Sequence, residues 1–299
     1  MANQTLATSG LRTLFTTTVA MVAFAANSVI CRLALGHGTI DAASFTSVRI
    51  VAGAVTLLLI IRHQRPEASP QNGTGNIVSA TLLFLYAIAF SFAYRSLSVG
   101  TGALILFGCV QLTMLGAAIR SGAHPSPVEW SGLVLALAGL VWLVLPGLSA
   151  PSPTGAVLMS LAGIAWGLYS LRGRKSRDAL GDTAGNFLRS VPLGIVTSAL
   201  LFATARASIA GLAWAALSGA VTSGLGYVVW YSALRDLTPL RAAIVQLSVP
   251  VIAALAGVGF LGEAVTTRLI VSASLILGGI SVAVLSHSPP PARLAVRPS

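Results

Sequence analysis

Ten apolar runs of about 20 residues follow one another along this chain, separated by short breaks. Each run is long enough to cross the hydrocarbon core of a bilayer as one helix. A helix keeps its backbone N–H and C=O groups paired where no water reaches them. The runs cover residues 12–35, 41–61, 76–97, 99–120, 127–146, 154–173, 183–204, 209–234, 239–261 and 267–286. The breaks "RHQRPEASPQNGTG", "SGAHPSP", "PGLSAPSP", "LRGRKSRDALGD" and "GEAVTT" hold the Gly, Pro, Ser and charged residues expected of turns. Only 8% of the residues are charged and mean hydropathy is +0.87, whereas a soluble domain carries about 25% charged residues. A solvated surface cannot be built from such a composition, so lipid is the expected partner of most of the exterior. The fold class is an all-α integral membrane protein with ten transmembrane helices.

The net charge of +11 does not indicate a nucleic-acid partner, because the basic residues sit in short loops between apolar runs. Ten spans put both termini on one side. The loops of that side carry Arg62, Arg65, Arg120, Arg172, Arg174, Lys175, Arg177 and Arg235, and the tails add Arg12, Arg293 and Arg297. The opposite loops and span ends hold Arg32, Arg95, Arg206 and Arg268. The positive-inside rule therefore places both termini in the cytoplasm. The start of the chain has a second reading, as a signal peptide ending at "AFA" (Ala23 to Ala25). Thr16, Thr17 and Thr18 interrupt its apolar core, and the internal repeat continues through Ala25, so the first span is read as retained. The Pro-rich end "SPPPARLAVRPS" is expected to be disordered. Cys31 and Cys109 lie within apolar runs and read as packing residues, and no metal-site pattern is present.

The two halves of the chain match. "VAFAANSVICR" (Val22 to Arg32) aligns with "IAWGLYSLRGR" (Ile164 to Arg174), pairing Phe24 with Trp166 and Ser28 with Ser170. Arg49 aligns with Arg189, "YRSLSVGT" (Tyr94 to Thr101) with "YSALRDLT" (Tyr231 to Thr238), and "QLT" (Gln111 to Thr113) with "QLS" (Gln246 to Ser248). "LALAGL" (Leu135 to Leu140) aligns with "LILGGI" (Leu275 to Ile280). Five spans per half is an odd number, so the second half enters the membrane from the opposite side. The expectation is two inverted five-helix repeats (5+5): a short cytoplasmic tail 1–11, a first repeat 12–146, a second repeat 147–286 and a cytoplasmic tail 287–299. Secondary transporters use inverted repeats and bind cargo near the midplane between them.

The segment "LTPLRAAIVQLSVPVIAALAGVGFLGEAVTTRLIVSASLILGGISVAVL" resembles the EamA signature of the drug/metabolite transporter superfamily. The features that carry the likeness are a small-residue helix, mid-helix Pro250, Leu261-Gly262-Glu263 at a loop, and a Gly-bearing last helix. The first half departs from the pattern: "SGAHP" has no counterpart of Glu263, and no proline stands near Gln111. The resemblance implies a polytopic inner-membrane transporter, often an exporter of metabolites. Overall likeness points within it to the aromatic amino-acid exporters.

All seven acidic residues lie at loops or span ends. A cationic-drug/proton exchanger that works through a mid-membrane carboxylate is therefore disfavoured. Arg49 and Arg189 do lie within spans, at a cost of roughly 2.5–3.5 kcal/mol on insertion scales. They either share a structural task, such as binding backbone carbonyls, or meet a substrate carboxylate or phosphate. Gln111 and Gln246 on the fourth helix of each half, with Ser248 beside Gln246, are candidates to face a central aqueous cavity. Pro250 is expected to weaken the helix near Gln246 and free a carbonyl. The alternative for the glutamines is an interhelical hydrogen bond. Asn27 and Ser28 on the first helix, Tyr86 and Phe90 on the third, Trp166 and Tyr169 on the sixth, and Tyr227 on the eighth would form an aromatic wall with polar tips. Such a wall suits an amphipathic cargo, and ordinary packing is its alternative role.

These features converge on a secondary transporter or exporter of small amphipathic metabolites, with amino acids and above all aromatic ones favoured. A nucleotide-sugar or phosphorylated-metabolite exchanger and a drug exporter are the alternatives. No cofactor is implied, the G-x-x-x-x-G-K-[ST] loop for ATP is missing, and no catalytic residues stand mid-span. Because both repeats are in one chain, a monomer is sufficient for alternating access.

Overall fold

Most helices of this chain begin at a side chain that accepts the free backbone N–H groups of the first turn. Asn76 accepts from the Ser79 N–H, Ser98 from Thr101 and Ser208 from Gly211. Ser126 and Glu129 form a capping box ahead of Pro127, which suits a first helical position because it has no N–H to satisfy. Asp41 accepts from Ala43 and Ser44 at the start of the second helix. Its carboxyl is held below the ordinary aspartate value: burial alone would raise it, but the N–H groups of Ser44, Arg206 and Ala43 outweigh burial.

The computed structural model describes residues 2–64, 75–122, 126–145, 147, 150–173, 176, 178–237 and 245–285, and their side chains except those of 2–11, 235, 236 and 284. Its helices are α1 (Ala2–Gly36), α2 (Ala42–Gln64), α3 (Ile77–Ala93), α4 (Val99–Arg120), α5 (Pro127–Val144), α6 (Pro153–Gly173) and α7 (Ala179–Leu200). Next, α8 (Ile209–Leu217) runs through a π-helical segment (Ser218–Leu225) into α9 (Gly226–Asp236) as one rod. The last two are α10 (Ser248–Leu261) and α11 (Thr267–Leu285). The tail 287–299, the loop residues Arg65, Arg174, Lys175 and Arg177, and residues 239–244 of the ninth expected span lie outside the described residues.

Ten helical rods thus stand where ten spans are expected, with differences that have physical causes. Six of them are long and apolar enough to cross a membrane: Arg12–Gly36, Ala42–Gln64, Val99–Arg120, Pro127–Val144, Pro153–Gly173 and Ile209–Leu234. Three shorter apolar helices are Ile77–Ala93, Ser248–Leu261 and Thr267–Ala283. The remaining helix, α7, carries Asp182, Thr183, Asn186, Arg189 and Ser190, and it buries most of these polar groups against its neighbours. Helix α1 begins at Ala2, ahead of the candidate span that starts at Arg12. Pro250 stands in the first turn of α10, not mid-helix. The break falls ahead of it at Leu247, where the Ser248 hydroxyl donates to the Val245 carbonyl at 2.7 Å. A first-turn N–H has no intrahelical partner, so the missing N–H of Pro250 costs nothing there.

Large apolar side chains such as Phe15, Leu59, Leu200, Ile209 and Phe260 point outward, and the buried residues gather between helices. Because lipid is as apolar as leucine, close fit decides which helices pair. Helix α3 packs on α6 and α7, while the α8–α9 rod packs on α1 and α2. Helix α4 packs on α6, and α10 packs on α1; α2 meets α7, α4 meets α10, and α5 meets α11. The α5–α11 crossing depends on two glycines. A Cβ on Gly132 would come within 2.5 Å of the Gly279 carbonyl oxygen, and a Cβ on Gly279 within 2.5 Å of the Gly132 carbonyl oxygen. Gly279→Leu should therefore separate these helices and lower stability by about 1–3 kcal/mol, the usual cost of overpacking. A thermal-melting series in detergent that includes the control Gly278→Leu, where a Cβ meets nothing within 4 Å, would detect it, and equal midpoints would refute it.

Candidate functional site

One small cavity lies where α1, α2, α3, α4, α6 and the α8–α9 rod meet. Helix α1 turns Phe24, Asn27 and Ser28 toward it, residues that share a helix face at i, i+3 and i+4. Tyr86 and Phe90 come from α3 at i, i+4, Leu106 and Phe107 from α4, and Trp166 from α6. Thr222 and Ser223 of the π segment, Tyr227 of α9 and Arg49 of α2 complete the wall. The space is about 20 Å³, room for about one water molecule, so cargo of amino-acid size enters only if the helices part.

Arg49 is the organising group. It is 2% exposed. Its Nε donates to the Ser223 hydroxyl at 3.2 Å and its Nη2 to the Tyr86 hydroxyl at 3.1 Å. Its guanidinium carbon lies 5.3 Å from the centres of both the Tyr86 and Phe90 rings, within cation–π range. Among the described residues, the buried third nitrogen, Nη1, has no hydrogen-bond partner and no carboxylate forms an ion pair with Arg49. The Tyr227 hydroxyl, on the same cavity, is also buried without a partner. Asn27 accepts from Ser218 at 2.7 Å and Thr222 at 3.0 Å, and donates to Tyr86 at 3.5 Å.

The π segment explains how the α8–α9 rod reaches both Asn27 and Arg49. Its i→i+5 turn is wider than that of an α-helix, and such segments recur at functional sites. Gly219 lets it press against α2, because a Cβ there would overlap the carbonyl oxygen of Arg49. The rings pack edge to face and tilted: Phe24 lies 6.0 Å from Tyr227 and 6.3 Å from Trp166, and Trp166 lies 4.8 Å from Tyr86 and 5.2 Å from Tyr227.

Of the residues singled out from sequence, Asn27, Ser28, Arg49, Tyr86, Phe90, Trp166 and Tyr227 line this cavity. Tyr169 stands behind it, 5.6 Å from Trp166, and its hydroxyl accepts from Asn186 at 3.4 Å. Gln111 is buried on α4 but is not on the cavity wall; neither are the half-buried Gln246 and Ser248. Arg189 is exposed on α7 and donates to the Gly185 carbonyl of its own helix at 3.2 Å. It therefore shares no task with Arg49. The inward register of α7 belongs to the next residue, Ser190, which donates to the Ala80 carbonyl of α3 at 2.9 Å. One residue turns a helix by about 100°, enough to send the charge outward. Thr222 and Ser223 are the polar wall residues that sequence reasoning missed, beside the apolar Phe24, Leu106 and Phe107; with Ser218, which donates to Asn27, their signal is three small hydroxyls in the Gly-rich "LSGAVTSGLG".

A second polar cluster joins distant parts of the chain. Glu263, in the turn between α10 and α11, accepts from the Val99 N–H of α4 at 2.7 and 3.0 Å and pairs with Arg32 Nε at 3.6 Å. Arg32 Nη1 donates to the Tyr94 and Arg95 carbonyls at the end of α3, both at 3.1 Å. Burial pushes the Glu263 carboxyl above its ordinary value, although the Val99 N–H and Arg32 act against that. Near the same end of α1, a vestibule of about 740 Å³ is lined by Arg95, Arg206, His37 and Asp41 among others.

The comparisons with known proteins agree with this picture. Residues 153–285 match the EamA-like transporter family. The chain is 49% identical to the uncharacterized protein PA1977 of Pseudomonas aeruginosa over 91% of its own length and 94% of that protein's. It is 25% identical to the uncharacterized inner membrane transporter YedA of Escherichia coli over 84% of each, and 24% identical to the uncharacterized transporter YoaV of Bacillus subtilis over 79% of this chain and 85% of that one. A crystal structure superposes with a TM-score of 0.62 at 19% identity, covering 90% of this chain and 98% of that one, a likeness in fold alone. With its helical rods, its apolar exterior and these relatives, the chain is a multi-pass membrane transporter and belongs to the EamA-like transporter family.

Proposed function

We propose that this protein is a secondary transporter of small amphipathic metabolites that carry a carboxylate, aromatic amino acids among them. It works by alternating access between two inverted five-helix halves, in an inner membrane with both termini cytoplasmic. The observation that carries the cargo class is Arg49, a buried guanidinium with a free Nη1 in an aromatic cavity. A cation in such a place is costly until an anion meets it. The helix pairings support the inverted halves. Exchanging the first half for the second turns the α3–α6 contact into that of α1 with the α8–α9 rod, α3–α7 into that of α2 with the same rod, and α4–α6 into α1–α10. The contacts α2–α7, α4–α10 and α5–α11 map onto themselves. Export is the direction implied by the family resemblance.

The test is counterflow with purified protein in liposomes loaded with unlabelled phenylalanine. Labelled phenylalanine should accumulate saturably, with competition by tryptophan and none by threonine or a sugar phosphate. Trp166→Ala should cut the exchange at least tenfold, since stacking a ring is worth about 0.5–1.5 kcal/mol beyond the area it covers. No exchange by folded protein with any aromatic carboxylate would overturn the cargo class. Block by the sugar phosphate would move the assignment to a phosphorylated metabolite.

A further inference from the structure

The cavity is rich in donors and poor in acceptors. Arg49 Nη1 and the Tyr227 hydroxyl are buried on its wall without partners among the described residues. The acceptors beside them are in use. Asn27 Oδ1 accepts the Ser218 hydroxyl at 2.7 Å, and it shares the single Thr222 proton, at 3.0 Å, with the Ser218 carbonyl at 2.8 Å. The Tyr86 oxygen accepts from Arg49 Nη2 and Asn27 Nδ2, leaving its own O–H to give. Ser223 accepts from Arg49 Nε, and Ser28 is engaged with Tyr94. The ring faces of Tyr86 and Phe90 are covered by the guanidinium, so they offer little to a second cation.

Such a site answers a carboxylate well and an ammonium badly. A carboxylate brings about four lone-pair positions and no donor, matching the free N–H and O–H groups. An ammonium brings three donors and a second positive charge next to Arg49. In a site of low dielectric, like charges a few ångströms apart repel by several kcal/mol. Outside the cavity, the vestibule carries the guanidiniums of Arg95 and Arg206. Its one lining carboxylate, Asp41, accepts from the Arg206, Ala43 and Ser44 backbone N–H groups. That surface also favours anions.

We infer that the preferred cargo is an amphipathic organic monoanion with no positive charge, such as a 2-hydroxy acid with an aromatic side chain, and that the matching amino acid is a poorer substrate of the same site. Arg49 Nη1 and the Tyr227 hydroxyl hold the carboxylate, and the Trp166 and Phe24 rings cover the apolar part. This inference rests on the transporter reading given above and narrows its cargo.

The isosteric pair 3-phenyllactate and phenylalanine tests it, since the two differ only in a hydroxyl in place of an ammonium. Phenethylamine, the cation without a carboxylate, completes the set. Affinities come from ligand-dependent thermal stabilisation of purified protein and from competition in the counterflow assay. 3-Phenyllactate is expected to bind at least tenfold more tightly than phenylalanine, and phenethylamine to leave the melting midpoint unchanged. Tyr227→Phe should weaken 3-phenyllactate three- to tenfold and leave the midpoint of the empty protein unchanged, because its hydroxyl has no partner to lose. Equal or tighter binding of phenylalanine, or stabilisation by phenethylamine, overturns the inference while the transporter reading stands. Absence of binding and exchange for all three compounds overturns both.

Discussion

Arg49→Met is expected to leave the empty protein at least as stable and to abolish exchange of carboxylate cargo. The two effects have one cause. A fully buried cation without a carboxylate partner pays for desolvation at all times, and hydrogen bonds to the neutral Tyr86 and Ser223 hydroxyls recover only part of that. Methionine fills a similar volume, adapts to the Tyr86 and Phe90 rings and carries no charge. Replacing buried charge by well-packed apolar atoms is neutral or stabilising by about 1–4 kcal/mol, so the melting midpoint of the empty protein should hold or rise. In the loaded state the balance reverses. Removing one partner of a buried, hydrogen-bonded charge pair costs about 2–5 kcal/mol, which predicts at least a thirtyfold loss of affinity for the carboxylate. Melting curves with and without ligand separate the outcomes. A lower midpoint with affinity retained would make Arg49 a structural strut for α2 and the π segment and remove it from the binding site.

The sequence made the helices legible because each apolar run is bounded by residues that punctuate a helix, such as the starting caps Asn76, Ser98, Ser126 and Asp41. Lipid-facing and buried positions along one run are both apolar, so the sequence did not say which face of a helix looks inward. That is why Arg189 looked equivalent to Arg49, although Ser190 holds the inward register of α7. The aromatic wall was legible for a related reason. Tyr86, Trp166 and Tyr227 are large and carry polar tips, a combination that lipid contact mid-membrane does not favour. The π segment was not legible, because a change from i+4 to i+5 pairing leaves no mark on a run of small residues. The helix is interrupted at Leu247, directly after Gln246 as Pro250 led one to expect, and the Ser248 hydroxyl donates to the Val245 carbonyl there. Glu263 was visible only as part of a motif. Its partners, Val99 and Arg32, come from the other half of the chain, where nothing in the sequence spacing points to them.

Those partners set the second large effect. Glu263 ties the α10–α11 turn to the start of α4 and, through Arg32, to the end of α3, so it clamps the two halves at one end of the bundle. Gly257 makes the clamp possible, since a Cβ there would stand 2.6 Å from the Glu263 carboxylate. Glu263→Ala leaves the Val99 N–H without its acceptor and Arg32 without its ion pair. Losing a cap of this kind costs about 0.5–2 kcal/mol, which moves an equilibrium between clamped and open forms by roughly 2- to 30-fold. Cys31 reports the opening, because it is fully buried one residue before Arg32. In a Cys109→Ser background, Cys31 labelling by a thiol reagent should accelerate by that factor in Glu263→Ala. It should change less in Glu263→Gln, whose amide oxygen still accepts from Val99. The pH dependence follows from the raised carboxyl value of the clamped form. A proton is held more tightly there than in the open form, where Glu263 returns toward its ordinary value. Protonation therefore favours the clamp. Its contribution is complete below the ordinary glutamate range and is lost as pH rises through the raised value. Labelling, normalised to denatured protein at each pH, should slow on acidification in the wild type and stay flat in Glu263→Gln. Equal rates in the wild type and Glu263→Ala would show that the two halves are held together elsewhere, with the wide α5–α11 and α2–α7 contacts the first places to look.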